Sequence, residues 1–419
     1  MAKNVIFYSF NFPPHAGSGV QRILKFIKYF HPLLQSDVVT SQSAIDEMDY
    51  GLLEDLPAST RIMRSNGLNP SNLRSYALRS LEKNSTSRFY NYLFNVLIKF
   101  RNLSFLPDAY IAWVPSTIKN VKFLIQDRRD SVIFSSVPIY TNAVGGYIVS
   151  RLFNLPLVLD FRDTWVDDPY LNLPTSFHKK INTWLESKVF NHASLILVYS
   201  DWAKRVYREK YPNKETHVIM NGYDPDDLAT SVMIKKSEKV RYVYMGTVFV
   251  YSEEFIACLF RALSLLPQNI RGNLEIIFVG TIKLNNFHHL IKIYGLEDCV
   301  TATGYKSHSE ALGYAESSDA LLFTIPNGDV SSYSGKIFEL LGMKKPIVGF
   351  VFEEGIAAEL LRAFGHKEFI VNYSVDDAAS ILSKPILTKN WVPYIDTALY
   401  ESINRKHQAL KVAKLVAEL

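Results

Sequence analysis

The chain has 419 residues, 48% of them hydrophobic and 21% charged, with a net charge of +5. That length predicts two or three domains, each able to bury a core. The mild charge excess demands no nucleic-acid partner. Two cysteines, Cys258 and Cys299, stand in apolar stretches and read as buried thiols rather than a disulfide or metal site. No cluster of Cys and His has metal-ligand spacing. The apolar part of the N-terminus is too short for a secretory signal, and no uncharged run reaches the ~18 residues of a membrane span. These features point to a cytoplasmic protein.

Short continuous apolar runs alternate with helix-length amphipathic segments. Strands are predicted at 5–10, 37–40, near 60–63, and at 131–135, 157–161, 195–199 and 217–220, with helices at 17–30, 140–152, 176–190 and 202–210. Such runs suit parallel strands covered on both faces, and the alternation is the doubly wound α/β pattern. The pattern restarts with strands at 241–245, 274–279, 300–303, 320–324, 346–350 and 368–371. Helices at 253–266, 287–294, 309–316, 335–343, 356–364 and 376–382 accompany them. A polar, Pro-containing stretch from Asp224 to Lys239 separates the two sets. The expected domains are 1–228, 229–390 and a C-terminal helical run, 391–419.

The segment 61–130 breaks this rhythm. It holds twelve cations against four acids, a balance of +8, so the rest of the chain is at −3. Within it, Arg88–Arg101 interleaves Phe and Tyr with cations. An anionic membrane surface is one partner this fits; a core helix with cationic ends is the other reading.

Four motifs follow strand ends. The first is Pro13-Pro14-His15-Ala16-Gly17-Ser18-Gly19-Val20-Gln21-Arg22, in which Gly17 and Gly19 allow a ligand to approach the backbone. Arg22 stands where a dinucleotide fingerprint needs a third glycine. The second is Asp160-Phe161-Arg162-Asp163-Thr164-Trp165, whose carboxylates could orient an acceptor hydroxyl or form a structural ion pair with Arg162. Asn221-Gly222-Tyr223-Asp224 reads as a turn or hinge. In the second half, Gly246-Thr247 ends a strand, and Gly304-Tyr305 ends another.

The fourth motif is the most informative. Ser334-Gly335-Lys336 opens a short helix after a strand and a polar loop, and Glu339 lies one turn on, on the face of Lys336. Free helix N–H groups and Lys336 suit a diphosphate, and the carboxylate suits a ribose diol. A solvated Lys–Glu pair is the plain alternative.

These strings together resemble bacterial glycosyltransferases of family 4, the branch with a D-F-R-D-x-W motif. The resemblance covers nearly the whole chain and is specific at 13–22, 160–165, 221–224 and 334–346. It implies two facing Rossmann-like doubly wound domains (GT-B type), with a C-terminal helix crossing back to the first domain. It implies sugar transfer from a UDP- or GDP-linked nucleotide diphosphate sugar to a glycan or lipid-linked glycan acceptor. Retention of configuration and no cofactor or required metal follow from the same likeness.

On this likeness Gly17, Gly19, Gly246, Thr247, Tyr305, Ser334, Gly335, Lys336 and Glu339 bind the donor, and Asp163, Asp160, Arg162 and His15 serve the acceptor. The chain departs from the family in two places. No cation follows Thr247, and Ser331 stands where many members have a glutamate, leaving Asp329 as a candidate for the sugar hydroxyls. The setting implied is bacterial surface-glycan synthesis at the inner face of the membrane. A sugar-nucleotide epimerase shares the two-domain plan, and a catalytically silent nucleotide- or glycan-binding protein is the third reading.

Overall fold

The structure, a computed structural model, describes residues 3–15, 17–42, 48–67, 105–128, 130–168, 171, 173–384 and 396–419. The chain forms two α/β units, residues 1–221 with 405–419, and residues 222–404.

The first unit is a seven-stranded parallel sheet. Its strands are β1 (Asn4–Tyr8), β2 (Gln35–Ser41), β3 (Arg61–Ser65), β4 (Ser131–Val137), β5 (Leu157–Phe161), β6 (Leu195–Val198) and β7 (His217–Val218). They lie in the order β3-β2-β1-β4-β5-β6-β7. Successive strands β1 to β3 run out to one edge, and β4 to β7 run to the other. The order therefore reverses beside β1, and ligands in such sheets bind at the carboxyl ends of the strands around that point.

The central strands β1, β4 and β5 are buried along their whole length, as their continuous apolar sequence requires. The helix Ser18–Phe30 covers one face with Ile23, Phe26, Ile27 and Phe30 against Phe7 and Phe134. The helix Arg405–Ala417 adds Ala409, Val412, Ala413 and Val416 to that same core. The C-terminal helix thus returns to the first unit, as the resemblance implied.

The second unit holds β8 (Val240–Met245), β9 (Leu274–Val279), β10 (Val300–Gly304), β11 (Ala320–Thr324), β12 (Ile347–Phe350) and β13 (Ile370–Val371). The parallel order is β10-β9-β8-β11-β12-β13, with its reversal beside β8. Both cysteines are buried free thiols in or beside its core. Burial pushes Cys258 up to about 11 and Cys299 up to about 12.

The boundaries differ from the sequence reading in a way the contacts explain. The division falls between Asn221 and Gly222 rather than at 228. Asn221 is held in the first unit by Arg22 Nη1, 3.2 Å from its side-chain oxygen, and by Gln408 Nε2 on its carbonyl. Tyr223 N bonds Ile403 O at 2.9 Å, and Val232 N bonds Ser309 O at 3.1 Å, so the residues after Gly222 pack with the second sheet. The second unit likewise runs past 390 to Asn404 and takes in the short helix Thr397–Ser402.

The basic segment is also different from its composition. Residues Val114–Asp127 form a helix with Val114, Thr117, Val121 and Leu124 turned inward, a spacing overshadowed by the surrounding cations. Arg61 bonds Asp37 at 2.8 Å and Asp127 at 2.9 Å, and Arg128 bonds Asp37 at 3.1 Å. These cations balance a buried aspartate on β2. The stretch Arg88–Arg101 and the string Trp391–Tyr394 lie outside the described residues. No helix among the described residues is long and apolar enough to cross a membrane.

One buried ion pair ties the first unit together. Arg22 Nη2 meets Asp160 Oδ1 at 2.7 Å, and Arg22 Nε lies 3.0 Å from Oδ2. The remaining Arg22 protons go to the carbonyls of Ile219 and Met220 and to Asn221. Ser136 Oγ donates to Asp160 at 2.9 Å. Because the side chains are 4% and 0% exposed, removing one partner strands a buried charge. Asp160→Asn or Arg22→Met is expected to cost about 3–5 kcal/mol in urea unfolding, with the double replacement costing much less than the sum. Additive losses would show that the pair is not coupled.

Candidate functional site

Each unit carries a candidate site at the carboxyl ends of its central strands. In the second unit, β8 is followed at once by Gly246 and Thr247. Gly246 has φ 147°, and a Cβ there would stand 3.0 Å from Lys336 Cε and 3.2 Å from Lys336 Cδ. The lysine stem therefore lies directly over the Gly246 backbone. Glycines also stand at the ends of β9 and β10, the two strands on one side of β8. Gly280 has φ 143° and packs on the Gly246 backbone so closely that a Cβ would strike its carbonyl, and Gly280 N bonds Gly304 O at 3.0 Å. Of the three glycines, Gly246 is the one that lies beneath the lysine stem.

The helix Lys336–Gly342 delivers that cation. Its first turn is not as open as its sequence implies. Lys336 N lies 3.3 Å from Ser334 Oγ, and Ile337 N bonds Ser334 O at 3.1 Å, so Ser334 takes up two of the leading N–H groups. Gly335 sits in the helical region as the N-cap residue. Asp329 shapes the loop before it: one carboxylate oxygen accepts from Ser331 N at 2.9 Å and Ser332 N at 3.0 Å. That use of Asp329 is structural, and Ser331 is buried beside it. Tyr305 is exposed after β10.

Glu339 meets a residue that the sequence reading passed over. His308 Nε2 lies 3.6 Å from Glu339 Oε1, beyond hydrogen-bond reach but within ion-pair distance. The neighbouring Ser307 and Glu310 form a reciprocal capping box that fixes His308 at the helix start. Burial pulls the His308 imidazole down, yet Glu339 and Asp227 outweigh burial and the opposing Lys336, so its pKa stands above the ordinary 6.5. The Ser-x-x-Glu cap was visible in the sequence; the face it turns toward Glu339 was not.

In the first unit, a cavity of about 220 Å³ opens at the ends of β1 and β4, lined by Ser9, Asn11, Gly17, Gly19, Asn142 and Arg162 among others. Asn142 is part of the wall, accepting from Phe10 N at 2.9 Å and donating to Ser136 O at 2.8 Å. Gly17 has φ 131° and open space where a Cβ would go. Gly19 lies flat against the guanidinium of Arg162, so that a Cβ would overlap Nη1.

Of the acceptor-side candidates, Arg162 faces this cavity, with Nε on Val137 O at 3.2 Å and Nη2 on Pro138 O. Asp160 has no exposed surface and is committed to Arg22, which makes it a positioning residue rather than one that reaches a substrate. Asp163 is exposed. His15 is buried, its N–H on Phe12 O at 3.2 Å and its strand-like bridge to Met48. Trp165 is a core residue: it stacks on Tyr140 with centroids 5.1 Å apart, and its indole N–H donates to Asn182 at 3.0 Å.

The model of Glycosyltransferase Family 4 matches residues 81–227. No curated protein matches the chain. Sucrose-phosphate synthase from Thermosynechococcus elongatus superposes with a TM-score of 0.63 at 12% identity, over 99% of this chain and 98% of that one. WaaG, a glycosyltransferase involved in lipopolysaccharide biosynthesis, gives 0.54 at 12% identity, over 98% and 99%. A UDP-N-acetylglucosamine 2-epimerase of Listeria monocytogenes, so described only provisionally, gives 0.58 at 9% identity, over 98% and 95%. The fold is thus that of GT-B glycosyltransferases, two Rossmann-like α/β units in one chain.

The His308–Glu339 contact makes a pH prediction. A histidine pKa raised by folding adds stability that is complete below the unfolded value of 6.5 and is lost as pH rises through the folded value. In Glu339→Gln the raising carboxylate is gone, so His308 should titrate below the wild type, and the stability difference should fade as pH rises. Proton NMR of the His308 ring and melting curves across pH 6 to 8 check this; an unmoved His308 titration would contradict the pairing.

Proposed function

We propose that the chain is a retaining glycosyltransferase. It moves a hexosyl or N-acetylhexosaminyl group from a nucleotide diphosphate sugar to an acceptor hydroxyl in bacterial surface-glycan assembly. The observation that carries this reading is Lys336 laid over Gly246 at the reversal point of the second sheet. In such sheets that is where ligands bind. A cation over bare backbone is the arrangement a diphosphate needs: its oxygens can approach the main chain while Nζ neutralises them. Negative charge grows on the departing diphosphate in the transition state, and a fixed ammonium stabilises it most there. Glu339 suits the ribose diol. The family match at 81–227 and the resemblance to WaaG and sucrose-phosphate synthase support the same class.

An epimerase is the second reading, favoured by the similarity to the 2-epimerase. The two separate on one assay, since an epimerase converts donor without acceptor. Lys336→Ala should weaken UDP or GDP binding by about 1.5–3 kcal/mol in calorimetric titration, the range of a hydrogen bond to a charged group. Unchanged affinity would remove the donor-site assignment.

The acceptor in this reading is a lipid-linked glycan, drawn from the cations and aromatics of Arg88–Arg101. Lys99→Glu with Arg101→Glu should release the protein from anionic vesicles in low-salt co-sedimentation. Wild type that ignores such vesicles would point to a soluble acceptor instead.

A further inference from the structure

We infer that the outer face of the helix Ser176–His192 docks on an anionic lipid surface. This helix is built inside out. Its buried positions include His178, Asn182 and Glu186, spaced i, i+4 and i+8 and all polar, with Val189 and Phe190 completing that face near its end. Phe177, Ile181, Trp184 and Leu185 repeat at i, i+4, i+7 and i+8, the spacing by which a helix ordinarily turns an apolar stripe to a core. Here the stripe faces the other way. Phe177 is 64% and Trp184 58% exposed, with Ile181 and Leu185 half-buried beside them.

The polar inner face has its own reason. Asn182 accepts from the Trp165 indole at 3.0 Å. Glu186 accepts from Val166 N at 2.9 Å, Lys210 Nζ at 2.8 Å and the Tyr211 hydroxyl at 2.9 Å. These side chains hold the loop that follows β5. Nothing in that task calls for aromatic rings on the outside. A single exposed hydrophobe is ordinary, but four at helical spacing make a continuous stripe, and such a stripe marks a surface that something covers.

The charges select the occupant. Lys180 and Lys188 stand exposed along the stripe, and the only acid of the helix, Glu186, is buried and paired with Lys210. The helix Tyr140–Phe153 packs beside it, the Tyr147 and His192 rings lying 5.1 Å apart, and exposes Arg151 and Leu152. Aromatic and aliphatic side chains bordered by cations and free of acids suit the headgroup region of an anionic bilayer. The rings enter the apolar boundary while the lysine stems lie along it and carry their ammonium groups to the phosphates. A second copy of the chain fits less well. A two-fold interface would set this lysine-bordered stripe against itself, with no exposed acid on the helix to answer.

This surface depends neither on the donor reading nor on Arg88–Arg101. The test is co-sedimentation of the full chain with vesicles of mixed phosphatidylglycerol and phosphatidylcholine. Phe177→Ser with Trp184→Ser should lower the partition about tenfold to hundredfold, through apolar surface withheld from the lipid. Lys180→Glu with Lys188→Glu should lower it about tenfold at low salt and less at high salt. All four positions are exposed, so melting temperatures should hold. Brominated lipid should quench Trp184, and Trp184→Phe should keep binding while losing that quenching. Wild type that ignores the anionic vesicles overturns the proposal, as does a Phe177→Ser with Trp184→Ser protein that binds them equally well. A lipid-free dimer in sedimentation velocity that this variant turns into a monomer would give the stripe to a second copy and overturn it too. Lys99→Glu with Arg101→Glu separates the two lipid contacts. Partition lost there but intact in the Phe177 and Trp184 variant removes this surface. The reverse leaves it standing and removes Arg88–Arg101 from the membrane.

Discussion

The pairing of Arg22 with Asp160 is the contact on which the first unit depends. It joins the helix that begins at the glycine loop to the central strand β5, and its spare protons hold the chain at Ile219, Met220 and Asn221. Three distant stretches of sequence are thereby fixed at one buried point. The consequence reaches the site. Because Asp160 is saturated, it cannot answer the second arginine two residues on, and Arg162 is left to bond main-chain carbonyls instead. One satisfied buried pair thus leaves the second guanidinium to main-chain partners. The motif Asp160-Phe161-Arg162-Asp163 is therefore split in placement by its partners, with Asp160 inside the fold and Arg162 on the cavity.

Much of the fold was legible because parallel strands covered on both faces are written as continuous apolar runs. The segments at 157–161, 274–279 and 320–324 were read within a residue of their observed ends. What was not legible has a common physical cause: the information is long-range. The helix Val114–Asp127 was hidden because its buried face is partly polar, with Thr117 and Asn120 turned inward. The +8 balance of its surroundings reads as an exposed basic patch, yet Arg61 and Arg128 answer Asp37, which comes from another strand. Composition counts charges and cannot see which are already paired.

The site shows the same division. Gly246 and Lys336 could be singled out because a glycine at a strand end and a cation at a helix start are both visible locally in the sequence. The reading of Asp160 against Arg162 as mutual partners failed to anticipate the actual pairing, since Arg22 lies far off in sequence and was noticed only as the residue that spoils a glycine fingerprint. His308 was invisible for the related reason that nothing local connects it to Glu339. The helix start at Lys336 was overestimated as an anion trap, because Ser334 turns back to satisfy its own following N–H groups.

Both units solve one problem in the same way. In each, a glycine shortly after the first strand lies against a long cationic side chain that comes from later in the chain. Gly19 meets Arg162, and Gly246 meets Lys336. Glycine at these positions is usually explained by backbone freedom, and for Gly246, at φ 147°, that explanation holds. For Gly19 it does not, since Gly19 lies within a helix whose geometry any residue can adopt. What forbids a side chain there is the volume already occupied by the guanidinium. The glycine is a seat for a charge. A cation lying flat on bare backbone has its stem packed and its position fixed before any ligand arrives, and fixed charges of that kind cost no reorganisation when they act.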